Sequence, residues 1–166
     1  MRTLMYNPSD FFEKLETELQ KSRIELQDDW FIDHICYRTK DISEYEKVKS
    51  DFSTKGKLLV ESMVGGRLIA TYKLSSPLRY KDFIIPLIEI PAPKSGRVSQ
   101  SGYEHIEIVI KESFDELIAR FSHLEIKTHA LSKSINPELE IEFGDISVKF
   151  HHQSLEEVIE YEKSLV

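Results

Sequence analysis

Asp33-His34-Ile35 returns as Glu104-His105-Ile106, 71 positions later, with the same order of acidic residue, histidine and isoleucine. Each run opens a strand-like segment. Each is followed by a serine-headed helix start (Ser43 and Ser113, 70 positions apart), then by a hairpin pattern. Landmarks of different kinds at nearly one offset point to a duplicated module, and one such unit cannot bury its apolar face alone. The expectation is an α+β chain. Two βαβββ-type modules form a cupped mixed sheet with flanking helices, and an N-terminal and a C-terminal helix are added.

The 166 residues fit a single domain, 1–166, with modules at about 28–93 and 102–153. The segment 8–27 is expected to be the N-terminal helix. Phe11, Phe12, Leu15, Leu19 and Leu26 recur at helical spacing over about 10–27, with Ser9 or Asp10 as N-cap. Trp30–Arg38 reads as a strand. Ser43 to Glu46 matches a capping box and opens a helix that ends before Gly56. Leu58–Val64, Gly65-Gly66 and Arg67–Leu74 read as a hairpin, since paired glycines supply the positive φ of a tight turn. Phe83–Ile90 is an apolar strand stopped by Pro91 and Pro93, and the polar stretch Ala92–Gly102 links the halves. In the second half, Glu104–Ile110 is a strand, Ser113 heads a helix, and Ile126–Leu131 is expected to be a short strand. Leu139–Phe143, Gly144-Asp145 and Ile146–His151 form another hairpin. Ser154 caps the closing helix, 154–166.

Strand alternation turns this layout into a site. Ile106, Ile108 and Ile110 share one face, which should pack beneath the helices, so His105 and Glu107 point the other way. In the first module Ile35 and Tyr37 take the helix side, and His34, Cys36 and Arg38 the opposite one. Glu89 stands in an apolar strand, where a carboxylate is costly unless paired, ligated or solvated. His151 lies in the polar row of the last strand with Ser147 and Lys149. His34, Glu89, His105 and His151 are therefore the candidate metal ligands. Imidazole and carboxylate together suit zinc, nickel, iron or manganese. Glu107 and Glu61 are the candidate bases, and Arg38, Arg67, Lys73 and Lys149 the candidate contacts to an anionic substrate.

A net charge of −7 with no basic stripe argues against nucleic acid. The lone cysteine, Cys36, precludes an internal disulfide and reads as a small buried hydrophobe. No run approaches the roughly 18 apolar residues of a membrane span, and the first residues show no leader-like stretch. A cytoplasmic location, no membrane partner and a small-molecule ligand are expected, with a homodimer left open.

Several runs carry a family resemblance: Asp33-His34-Ile35, Gly66-Arg67, Lys73-Leu74, Glu89 with Pro91, Tyr103 to Val109, Asn136-Pro137 and Val148-Lys149-Phe150-His151. Together they resemble the YecM family, from about residue 8 to the end, and that family looks like a branch of the vicinal oxygen chelate superfamily. The resemblance implies paired modules and a divalent metal held from the first and last strands of each. On this chain those positions are His34, Glu89, His105 and the strand carrying Lys149 and His151, where many metalloenzymes of that type have a glutamate. The reading that follows is a divalent-metal-binding protein, in one version an isomerase, lyase or oxidoreductase acting on a small oxygenated substrate. The alternatives are a non-catalytic small-molecule binder whose cup is lined by Trp30, Tyr72, Phe83 and Tyr103, and a protein-interaction adaptor docking through the opening helix.

Overall fold

The computed structural model describes residues 5–97 and 99–166. Residues 1–4, part of the stretch read as lacking a leader, and Val98 of the linking segment lie outside the described residues. The order of elements is α1 (Ser9–Lys21), β1 (Phe31–Arg38), α2 (Ile42–Ser53), β2 (Gly56–Val64), β3 (Arg67–Tyr80), β4 (Phe83–Pro91), β5 (Gly102–Val109), α3 (Phe114–Arg120), a 3-10 turn (His129–Ser132), β6 (Leu139–Phe143), β7 (Ile146–His151) and α4 (Leu155–Ser164). The strands form one open mixed sheet in the order β2-β3-β4-β1-β5-β7-β6. The modules meet at an antiparallel β1–β5 seam. Each first strand also pairs in parallel with the last strand of its own module, β1 with β4 and β5 with β7.

The second module is one strand short. Ile126–Leu131 does not form the expected strand: only Lys127 bridges to Glu140, and a 3-10 turn follows at His129–Ser132. The reason is parity. Ile126 and Leu131 are an odd number of positions apart, so an extended chain would put them on opposite faces. The turn brings both against the core.

Helix starts and stops also differ from the sequence reading in two helices, α2 and α1. The N-cap of α2 is Asp41, whose side chain accepts from the Glu44 amide at 2.7 Å, and Ser43 falls inside the first turn. Starting there places Tyr45, Val48 and Phe52 on the buried face. Helix α1 follows Pro8 without a side-chain cap and ends at Lys21, because Arg23 adopts a left-handed φ of 55°. Ile24 and Leu26 then leave the helix but still meet the core. Phe11, Leu15 and Leu19 are buried, so α1 has no free apolar face and the adaptor reading loses its basis. The aromatics expected to line the cup lie elsewhere. Tyr72 packs on Phe52 and Trp30 on Phe150 within the main core, while Tyr103, on Phe11 and Tyr37, and Phe83 are half-buried against it.

Two breaks in the β1–β5 ladder matter for the site. Ile32 pairs with Ile108 and His34 with Glu107, which leaves Asp33 as an extra residue on β1. Cys36 pairs with His105 and Tyr37 with Tyr103, which leaves Glu104 as an extra residue on β5. The acidic member of each repeated run is therefore a β-bulge, the device that re-aims side chains beside functional sites.

Gly56 opens β2 against β3, and a Cβ there would collide with the Lys73 carbonyl and the Leu74 backbone. Gly56→Ala is expected to destabilise the protein by about 1–3 kcal/mol, the usual range for overpacking. Chemical denaturation should show a lower midpoint with an unchanged slope.

Candidate metal centre

The strand register lays the site out in two neighbouring rows on the face away from the main core. One row runs Lys73, Leu87, His34, Glu107, Lys149 across β3, β4, β1, β5 and β7. The next runs Thr71, Glu89, Cys36, His105, Ser147 across the same strands. His34 and Glu107 thus neighbour Glu89 and His105. One donor atom from each of these four lies within 4.8 Å of every other. A second group, sharing His34, comprises Asp33, His34 and His151.

Glu107 stands at the centre. Its Oε2 meets His34 Nε2 at 2.8 Å and His105 Nε2 at 3.0 Å. Glu89 lies 3.9 Å from the same His34 nitrogen. His34 and His105 are buried, while Glu89 keeps 19 % of its side-chain surface and so marks the open side. Behind each ring sits a bulge carboxylate. Asp33 Oδ2 is 3.1 Å from His34 Nδ1, and Glu104 Oε1 is 3.7 Å from His105 Nδ1. The Asp33 carboxylate on Nδ1 fixes the tautomer and orientation of the His34 ring and leaves its Nε2 to face a cation; among the described residues His105 Nδ1 has no hydrogen-bond partner.

The electrostatics are those of a loaded network. Burial alone would push the His34 imidazole down, but Glu107 and Asp33 outweigh it and hold its pKa well above the ordinary value. Burial likewise opposes protonation of His105 and His151. Glu104 and Glu107 raise the first, and Asp33 and Glu107 the second. Burial would lift the Glu107 and Asp33 carboxyls, yet the facing imidazoles bring both below the usual carboxylate range. Glu104 is opposed by burial too, but His105, Arg38 and Lys149 draw it down to about 2.

The remaining candidates from the sequence are distributed as follows. His151 is buried 3.2 Å from Asp33 and 3.5 Å from Glu107, and its Nδ1 contacts the Gln153 carbonyl, so it belongs to the second group. Lys149 is the register partner of Glu107. Burial disfavours its charge, but Glu107, Glu138 and Glu140 raise its pKa. Arg38 pairs with Glu104 at 3.3 Å, at the open side. Lys73 is engaged by Glu156 of α4 at 2.8 Å, and Arg67 reaches the Ala92 carbonyl at 3.5 Å. Glu61 bonds Tyr45 and Lys49, apart from the donor groups. Asp33 and Glu104 were not singled out by sequence reasoning. Their signal was the acidic residue preceding each repeated histidine.

The fold is of the vicinal oxygen chelate type, and the buried His/Glu cluster within it is a candidate metal site. The chain belongs to the YecM family, whose model ("YecM protein") matches residues 1–162. It is 31% identical over 147 residues to Protein YecM of Escherichia coli (strain K12), an alignment covering 80% of this chain and 78% of that protein. The solved structural-genomics protein EC4020 is similar with a TM-score of 0.78 and 30% identity, covering 93% of this chain and 88% of its own. Methylmalonyl-CoA epimerase from Mycobacterium tuberculosis shares the fold, with a TM-score of 0.54 at 12% identity, over 82% of this chain and 98% of that one.

The shifts set opposite slopes of stability with pH in metal-free protein. Asp33 and Glu107 have lowered folded pKa values. Their contribution is complete above the unfolded carboxylate value of about 4 and is lost as pH falls through the folded values. His34, His105 and His151 have raised values. Their contribution is complete below the unfolded value of about 6.5 and is lost as pH rises through the folded ones. Urea unfolding should therefore show greatest stability at about pH 4–6.5, with an alkaline slope of up to about 1.4 kcal/mol per unit for each proton lost. Glu107→Gln, which removes the charge facing two of the rings, should flatten the alkaline arm.

Proposed function

We propose that this chain is a divalent-metal protein, with His34, Glu89, His105 and Glu107 as the donors, acting on a small oxygenated substrate that carries a negative charge. The observation that supports it most is the convergence of two imidazole Nε2 atoms, one from each module, on a single carboxylate oxygen. The donor chemistry fits a borderline cation: two carboxylates and two imidazoles that would be neutral as ligands, with the His34 ring oriented from behind by Asp33.

Bound here, a divalent cation would polarise a carbonyl or enediolate oxygen, worth several kcal/mol of charge stabilisation. The residues around it have separable tasks. Lys149 holds an ammonium beside Glu107 and suits the charged end of the substrate. Arg38 and Glu104 flank the open side, where Glu89 meets solvent. Glu107 has its second oxygen 3.5 Å from His151 Nε2, so an inner imidazole faces its charge from behind. The Cys36 thiol, between Glu89 and His105 in the row, is pushed well up by burial and then by Glu89 and Glu104. It therefore stays protonated and fills space rather than attacking.

Untagged protein, stripped and reloaded with zinc, should bind one equivalent. His34→Ala and His105→Ala should each weaken it by more than the roughly 10–100-fold that loss of an outer partner costs. Retention of full affinity by both variants removes the proposal. Lys149→Met should keep the metal but lose the spectral change that glycolate or phosphate induces in the cobalt-loaded protein. Glu61→Gln should alter neither reading.

A further inference from the structure

Asp33 is 1 % exposed and serves three elements at once. Its Oδ2 accepts from His34 Nδ1 at 3.1 Å and from the Leu155 amide at 2.7 Å, and its Oδ1 faces His151 Nε2 at 3.2 Å. Leu155 is the first residue of α4, where backbone N–H groups have no partner within the helix and carry partial positive charge. The Ser154–Glu157 capping box satisfies the neighbouring amides, so the Leu155 N–H is free for Asp33. From there α4 runs across the site face of the first module. Glu156 meets Lys73, which shares a row with His34, and Lys163 reaches the Leu59 carbonyl on β2 at 2.7 Å. These outer contacts are solvent-exposed and contribute little. Ile159 is buried but stands outside the main core cluster. The second copy of the repeat differs: Glu104 stands 3.7 Å from His105 Nδ1 and is held by Arg38, and among the described residues no helix amide reaches it.

We propose that Asp33 is a positioning residue that ties the seating of the closing helix to the readiness of His34 for a cation. The inference rests on the metal reading above. With α4 seated, the Leu155 amide holds the Asp33 carboxylate in the rotamer that grips His34 Nδ1, and His34 Nε2 faces Glu89, His105 and Glu107. With α4 lifted, the carboxylate loses that donor and gains water, and the ring loses its anchor. Coupling of this kind is reciprocal: a cation on His34 must seat the helix by the factor with which the helix favours the cation. The two histidines respond differently, since only His34 shares a carboxylate with the start of α4.

The test deletes one N–H. Leu155 is the first helical position, where proline is well tolerated, and Ser154 already has the extended backbone (φ −69°, ψ 152°) that a following proline demands. Leu155→Pro therefore removes the donor to Asp33 and keeps the helix start, while Leu155→Ala keeps the donor and removes the side chain. Zinc is the probe, with affinity read by competition with a chromogenic chelator. The proline variant should bind zinc about 10-fold or more weakly than the alanine variant, in the range of lost outer partners. Its His34 imidazole nitrogen resonances should move more than those of His105, which meets His34 only through Glu107. In the unaltered chain, zinc should slow amide exchange across α4. Equal affinity in the two variants, unmoved His34 resonances, or exchange in α4 indifferent to zinc overturns the proposal. Should the proline chain not fold, Asp33→Asn takes its place: weaker zinc and faster exchange in α4 support the coupling, and unchanged values end it. A wild-type chain that takes no zinc sinks the metal reading itself. One that takes zinc with an indifferent helix sinks the coupling alone.

Discussion

One oxygen of Glu107 is shared by His34 and His105, at 2.8 and 3.0 Å, and these two rings come from different halves of the chain. The contact can exist only if the β1–β5 seam has the register it has, because His34 pairs with Glu107 and Cys36 with His105. A slip of one residue would turn every side chain of a strand to the other face. It would carry Ile35 and Ile106, both fully buried in the core, toward the site and the imidazoles beneath the helices. Packing of the isoleucine rows therefore enforces the geometry of the donors. The cost of burying two carboxylates and three imidazoles is offset only when that geometry pairs them.

Much of this was legible in the sequence because it depends on local periodicity. Alternation along Glu104–Ile110 put His105 and Glu107 opposite the isoleucines, and the same rule put His34 opposite Ile35. Glu89 stood out as a carboxylate in an apolar strand. What escaped was whatever breaks periodicity. Asp33 and Glu104 do not alternate, since each is a bulge, and a bulge is set by how two strands pair rather than by either strand alone. The 3-10 turn at His129–Ser132 escaped for a related reason, because the odd separation of Ile126 and Leu131 matters only once the core's position is known. The cup's aromatic lining was misplaced because aromatic residues mark burial without saying beneath which face. Glu107 was visible only as a candidate base; its central place among the donors needs the pairing with His34 across the seam.

The departure at Lys149 gains a physical reading from the register. Glu89 is the β4 partner of Cys36, two residues after His34, and Lys149 is the β7 partner of Glu107, two residues after His105. The two are therefore related by the repeat, one a carboxylate and the other an ammonium. A cation there cannot ligate a metal, but Glu107 from the adjacent strand brings a carboxylate into the same space. The number of acidic donors around the cluster is thus kept while a positive charge is added beside it. That exchange leaves the cluster less anionic than its two glutamates alone would make it.

The repeat also explains why the two halves are not equivalent in practice. Both modules place a bulged carboxylate behind a histidine, so the device was present in duplicate. In the first half the carboxylate is sealed by a helix amide and a further imidazole, and in the second it faces Arg38 at the open side. Both rings are buried, so the difference lies in the carboxylates behind them: Asp33 is closed off, and Glu104 keeps part of its surface. Duplication supplied the symmetry of the donors. The unrepeated closing helix, which covers only one half, is what makes one side of the site a wall and the other a door.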